Sequence, residues 1–185
     1  MGETQSLGLT TTAANVIGFG EINAHRVGHM EKVHQLKDRA NADGKRGFTA
    51  FIAWTVQLEN NAFGRRNGGK RNQKVGPVEY LRHVAISRLF FDNIDHIHAS
   101  WLTMGMDVAQ LALFGGADDI GSTMMEENVV SAAGTTKVLC TEEELQHAII
   151  RAGFKAIRRD SDYNLLETPK LGIDAQSIPA PPPQQ

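Results

Sequence analysis

Residues 48–56 read FTAFIAWTV, Phe48 to Val56, and every position in the run is apolar or β-branched. A strand with one wet face alternates apolar and polar side chains. A continuous run of this kind fits a strand covered on both faces, as in a parallel sheet. Working outward, three other stretches read as strands. Leu7 to Gly18 (LGLTTTAANVIG) is β-branched and bounded by glycine. Ile94 to Thr103 (IDHIHASWLT) is the third, and Ala117 to Gly121 is a short fourth. Helical patterns separate them. Val27, Met30, Val33 and Leu36 recur at helical spacing between Asn23 and Asn41. Pro77 stands where proline opens helices, and that helix runs to about Phe91. Asp107 to Phe114 is a shorter one. Alternation of this kind predicts an α/β fold of about four parallel strands with outer helices. Four such units are half of an eight-stranded TIM-type barrel.

The richest chemistry lies in Gly115 to Gly134, GGADDIGSTMMEENVVSAAG. The fourth strand carries Asp118 and Asp119, and Ser122 and Thr123 follow it. Thr123-x-x-Glu126 has the spacing of a capping box opening a helix from Met124 to Ala133. Capping alone explains Thr123 and Glu126, and Glu127 suits the helix dipole. A second capping box, Thr141-x-x-Glu144, opens a helix to Ala152, and Phe154 to Arg159 reads as a last strand.

In a parallel sheet the carboxyl ends of the strands share one rim, where binding and catalytic groups collect. The rim groups here are Gly18, Gly20 and Glu21; Gln57, Glu59 and Asn60; Ser100 and Thr103; Ser122 and Thr123. Trp54 and Trp101 stand near strand ends, where an aromatic walls a ligand ring or packs the core. The expected inner apolar faces carry Ile17, Phe51, Ile97 and Ile120.

Composition narrows the class. The 185 residues are 41% apolar and 22% charged, with a formal charge of −2, so no global field draws nucleic acid or an acidic membrane. One cysteine, Cys140, allows no internal disulfide and suits a reducing, cytoplasmic compartment. No apolar run approaches the roughly 18 residues that span a bilayer, and Met1 to Ser6 lacks a signal peptide's basic start and apolar stretch. His25 and His29 lie four apart without a third ligand and read as a solvated helix face. His96 and His98 share one strand face. Arg65, Arg66, Lys70, Arg71 and Lys74 form a basic loop without interleaved aromatics, read as solvated. From Ile173 the chain turns polar and proline-rich, so residues 1–172 are the domain and 173–185 a disordered or polyproline tail.

GFTAFIAWTVQLENN, EYLRHVAISRLFFDNIDHIHASWLT and GADDIGSTMMEENVVSAAG together resemble the C-terminal half of the cyclic dehypoxanthinyl futalosine synthases. These are radical S-adenosylmethionine enzymes of the futalosine route to menaquinone. The resemblance runs from about Leu7 to Asn164. The related aminofutalosine synthases and the synthases of a deazaflavin chromophore share the GAD and EYLR-like segments. Ala99-Ser100-Trp101 and Ser122 to Val130 fit the cyclase better, since aminofutalosine synthases tend to A-Y-W and D-G-T there.

The resemblance implies a full β/α barrel whose N-terminal half holds a 4Fe–4S cluster in a Cys-x3-Cys-x2-Cys loop. It implies a 5′-deoxyadenosyl radical from S-adenosylmethionine and a nucleoside-derived substrate. It implies that Gly18, Gly20 and Glu21 lie near the adenosyl group. Trp54, Gln57, Asn60, Ser100, Trp101, Glu127 and Asn128 are then the substrate-binding candidates, and Glu59, Asp119, Ser122, Thr123 and Glu126 the catalytic ones. Two departures stand out. The three-cysteine loop is absent, and one thiolate cannot hold such a cluster. Phe19 stands where the family often has His. The expectation is therefore a C-terminal fragment, inactive without a separate cluster-bearing N-terminal half. The alternatives are a fragment of the related aminofutalosine synthase or deazaflavin-chromophore synthase, or a non-catalytic half-barrel that self-associates.

Overall fold

The structure is a computed structural model that describes residues 2–66, 75–123 and 139–168. The expected helix from Met124 to Ala133, the basic residues Lys70, Arg71 and Lys74, and the proline-rich tail lie outside the described residues.

Phe48–Thr55 forms the central strand β2, and only Trp54 of its eight residues is exposed. Thr11–Ile17 (β1) pairs with it in parallel on one side, and His96–His98 (β3) on the other. A short helix α1 (Gly2–Ser6) precedes β1. Helix α2 (Asn23–Ala42) connects β1 to β2. A one-turn helix α3 (Ala62–Arg66) and α4 (Pro77–Phe90) connect β2 to β3. Proline opens α4, as expected.

Two strand expectations change in detail. The third strand ends early, because Ser100 caps a short helix α5 (Trp101–Met104) with its hydroxyl accepting from Thr103 N–H. Helix α6 (Met106–Phe114) follows. The fourth strand shrinks to a parallel bridge between His98 and Asp119. Ala99 N donates to Asp119 O at 2.7 Å, and Asp118 N to Ile97 O at 3.1 Å. Here the aspartate side chains compete with the ladder. Asp118 accepts from Ile97 N–H and Asp119 from Gly121 N–H, both at 2.7 Å. The result is mixed α/β with a three-stranded parallel sheet and helices, an arrangement compatible with part of a TIM-type fold.

Side chains in register share a face. The row Ala13, Phe51 and Ile97 belongs to the buried core, with Ile17 and Ala53. Met30 and Val33 of α2, and Tyr80 and Val84 of α4, complete it. Phe51 meets Phe91 with ring centres 4.6 Å apart. Ile17, Phe51, Ile97 and Ile120 thus pack in the helix-side core and do not form an inner wall. The opposite face carries the row Ala14, Ile52, His98 and Asp119.

Helix α7 (Glu142–Arg151) begins with the expected capping box, both bonds present. The run after it is not a further parallel strand. Arg158–Arg159 (β4) pairs antiparallel with Leu165–Leu166 (β5) in a separate hairpin. Asp160 closes the turn by accepting from Asp162 N–H and Asn164 N–H, each at 2.9 Å.

His83 of α4 is buried against β1, where Asn15 Nδ2 donates to its Nε2 at 3.2 Å. Burial, with Arg26 adding to it, holds its pKa down at about 4, against 6.5 in the unfolded chain. Between those values the unfolded chain binds the extra proton, so stability is full above pH 6.5 and falls as pH drops toward 4. The loss at this site reaches about 3 kcal/mol. Urea denaturation at pH 7 and pH 4.5 should show a smaller pH penalty for His83→Gln than for the parent; equal penalties would refute this.

Candidate functional site

After β1 the chain turns through Gly18 and Gly20, and Glu21 closes the turn. Its carboxylate accepts from Gly18 N–H at 2.9 Å and Phe19 N–H at 2.7 Å. Arg26 bridges it to α4, reaching Glu21 and Glu79 at 2.7 Å each. Burial pushes the Glu21 carboxyl up, but the Gly18 N–H and Arg26 outweigh it, and its pKa is lowered. Phe19 is half exposed and meets Phe63 edge-on at 5.0 Å.

The end of β2 is tied to α5. Gln57 Nε2 donates to Thr55 O at 3.1 Å and Thr103 O at 3.4 Å. Glu59 accepts from Leu58 N–H, and exposed Asn60 adopts a left-handed φ of 55°. Trp54 and its register partner Val16 are each 41% exposed, an apolar pair open at the strand ends. Ser100 and Trp101 are buried. Ser100 N–H donates to the Tyr80 hydroxyl at 2.7 Å, and Trp101 packs in the core.

The fourth stretch is the most heavily bonded. Asp118 takes Arg88 of α4 and His96 Nδ1, the latter at 2.6 Å. Asp119 is 9% exposed and meets Arg159 of the hairpin through Nε at 2.9 Å and Nη2 at 2.6 Å. His98 Nε2 stands 3.7 Å from Asp119. Burial lowers the His98 pKa, and Arg159, at 2.6 Å, is the nearer cationic group to Asp119. Burial raises the Asp119 pKa, while His98, Arg159, Gly121 N–H and the Tyr163 hydroxyl lower it; the net shift is down.

A cavity of about 580 Å³ opens beside this stretch. Asp119, Gly121, Ser122 and Thr123 form one wall, Arg158, Arg159 and Tyr163 another, and Leu145, Ile149 and Phe154 an apolar floor. Of the expected residues the structure thus brings Asp119, Ser122 and Thr123 together. Glu21, Glu59 and Ser100 do not line this cavity, and Glu126, Glu127 and Asn128 lie outside the described residues. Arg159, Tyr163 and His98 went unread as site residues. The only sequence signal was the pair of His on one strand face; nothing tied the hairpin's Arg and Tyr to the aspartates.

The family described as the CofH/MqnC C-terminal region matches residues 45–172. The chain belongs to that family. It is 44% identical over 168 residues to cyclic dehypoxanthine futalosine synthase of Halalkalibacterium halodurans, covering 91% of this chain and 42% of that protein. It is 42% identical to the protein of that name from Streptomyces coelicolor, covering 86% and 37%. To aminodeoxyfutalosine synthase of Thermus thermophilus it is 34% identical, covering 85% and 41%. The chain therefore spans about two fifths of the length of these relatives.

The 4Fe–4S cluster implied by the resemblance does not fit this member of the CofH/MqnC family. Its single cysteine, Cys140, is buried, with Sγ directed at Thr141 O at 3.6 Å. Among the described residues no group of three His, Cys, Asp or Glu could hold a metal ion.

Glu21→Ala should cost about 2–3 kcal/mol in urea denaturation, because it leaves two turn amides without their acceptor and takes away one of the two carboxylates that Arg26 bridges. A loss under 0.5 kcal/mol would mean that the carboxylate does not hold the turn.

Proposed function

We propose that this chain is the substrate-facing C-terminal part of a radical S-adenosylmethionine enzyme that cyclises dehypoxanthine futalosine on the futalosine route to menaquinone. The observation that carries the reading is the 44% and 42% identity to two cyclic dehypoxanthine futalosine synthases over 91% and 86% of the chain. The aminodeoxyfutalosine synthase stands lower, at 34%. Cluster ligands belong to the part of the relatives that this sequence does not match, and a cluster-bearing N-terminal half is the partner. The single cysteine supports a cytoplasmic setting, and no helix among the described residues is long and apolar enough to cross a membrane.

This chain's own residues bind and orient. Ser122 and Thr123 are exposed at the cavity and offer hydroxyls to the substrate's polar groups. Trp54, open at the end of β2, offers an apolar wall for a ring. Glu59, just past that strand, accepts from or holds a proton near a ribose hydroxyl. The Gly18–Glu21 turn presents its backbone to the adenosyl group. On the resemblance alone, Glu126 stands as a catalytic candidate and Glu127 and Asn128 as substrate-binding ones.

The test supplies the N-terminal region of the H. halodurans synthase as a second polypeptide, with anaerobic iron–sulfur reconstitution. The pair should bind a cluster, form 5′-deoxyadenosine and yield the cyclised product; the chain alone should do none of these. Ser122→Ala with Thr123→Val should lower product formation at least tenfold and leave the cluster intact. Stoichiometric cluster binding with turnover by the chain alone would overturn the reading.

A further inference from the structure

The hairpin that ends the described chain meets the last stretch of the sheet through a linked set of side chains, while Arg46, just before β2, separately reaches Asp162 in its turn. Arg159 grips Asp119 Oδ2 with two nitrogens, at 2.9 and 2.6 Å. The other oxygen of Asp119 accepts Gly121 N–H at 2.7 Å. Gly121 has a φ of +101°, and a Cβ there would lie 2.5 Å from His98 Nε2, so its position is set by these neighbours and tolerates no side chain. Tyr163 completes the grip. Its ring stacks on His96 at 3.8 Å and 4°, and the Arg159 guanidinium lies 4.5 Å from the ring centre. The Tyr163 hydroxyl faces the Asp119 carboxylate, whose charge adds to burial in raising its pKa. Ser122 and Thr123 come directly after Gly121.

We infer that Arg159 and Tyr163 are positioning residues, holding Gly121 to Thr123 in place at the cavity through the Asp119 carboxylate. Neither residue need touch a ligand. Both oxygens of Asp119 are engaged, so it acts as a strut between hairpin and strand end, not as a free base. The inference rests on the reading of Ser122 and Thr123 as substrate-side groups, and it adds the hairpin to the machinery that places them. A hairpin that merely packed against the sheet would not need to engage the one carboxylate that also holds the Gly121 amide.

The test reads Gly121 and not turnover. Amide exchange and ¹H–¹⁵N shifts of the 185-residue chain are followed for the parent, Arg159→Ala, Arg159→Lys, Asp119→Asn and Tyr163→Phe. Arg159→Ala and Asp119→Asn should each speed exchange of Gly121 N–H at least tenfold, and Tyr163→Phe should fall between. Arg159→Lys should recover a good part of the loss, while Gly105 N–H, bonded to Trp101 O in α5, stays unchanged in all. The groups facing Asp119 are His98 on β3, Arg159 and Tyr163 on the hairpin, and the adjacent Asp118. Loss of the Arg159 charge should therefore let the Gly121 shift titrate with Asp119 at a higher pH than in the parent. If Arg159→Ala fails to fold, Asp119→Asn and Arg159→Lys carry the same test. Unchanged Gly121 exchange in Arg159→Ala or Asp119→Asn overturns the inference. If the two-polypeptide mixture makes no product but Gly121 responds, the functional reading fails and the positioning stands.

Discussion

Two adjacent carboxylates hold the last stretch of sheet against three other elements. Asp118 takes the Ile97 amide, His96 and Arg88 of α4. Asp119 takes the Gly121 amide and Arg159 of the hairpin. A charge as buried as Asp119 is costly unless its oxygens are filled and its charge paired. Here both conditions are met, so the residue becomes a constraint: hairpin and strand end keep their places together or leave a buried charge exposed. Asp118 is 41% exposed at its side chain, so its ion pair contributes less, and its main effect is to hold register with β3.

That constraint explains how the fourth unit stays in the fold with one bridge instead of a ladder. Arg88 also donates to Gly116 O at 2.6 Å, and a Cβ on Gly116 would lie 2.7 Å from the Arg88 side chain. Helix α4 thereby fastens the entry to the stretch, while the hairpin fastens its exit. Ser122 and Thr123, proposed to meet the substrate, follow directly after that exit. At the far end of the sheet Glu21 plays a comparable part, spending its charge on a turn and on Arg26.

Much of this was legible in the sequence. The unbroken apolar run of β2 announced a strand covered on both faces, and Pro77 and Thr141-x-x-Glu144 marked helix starts correctly. The boundary errors have local causes. Ile94 to Thr103 reads as one strand by composition, but the Ser100 hydroxyl bonds Thr103 and starts a helix. Phe154 to Arg159 reads as a last strand, but sequence alone gives it no direction; the Asp160 turn sends it into a hairpin. The assignment of Ile17, Phe51 and Ile97 to an inner wall failed because alternation alone does not say which face meets the helices. Within the site, Asp119, Ser122 and Thr123 were visible as a cluster of polar residues after a strand. Arg159 lies forty residues away in chain order and Tyr163 farther still, and a contact of that range leaves no trace in spacing.

The joint at Asp119 is open to one direct measurement, a double-mutant cycle with Arg159 in urea denaturation: Asp119→Ala, Arg159→Ala and the pair. If the carboxylate ties hairpin to sheet, the two losses will fail to add by about 2 kcal/mol or more, since the second mutation removes a partner already lost. Losses that add within about 0.5 kcal/mol would contradict the account, because hairpin and strand end would then be held independently.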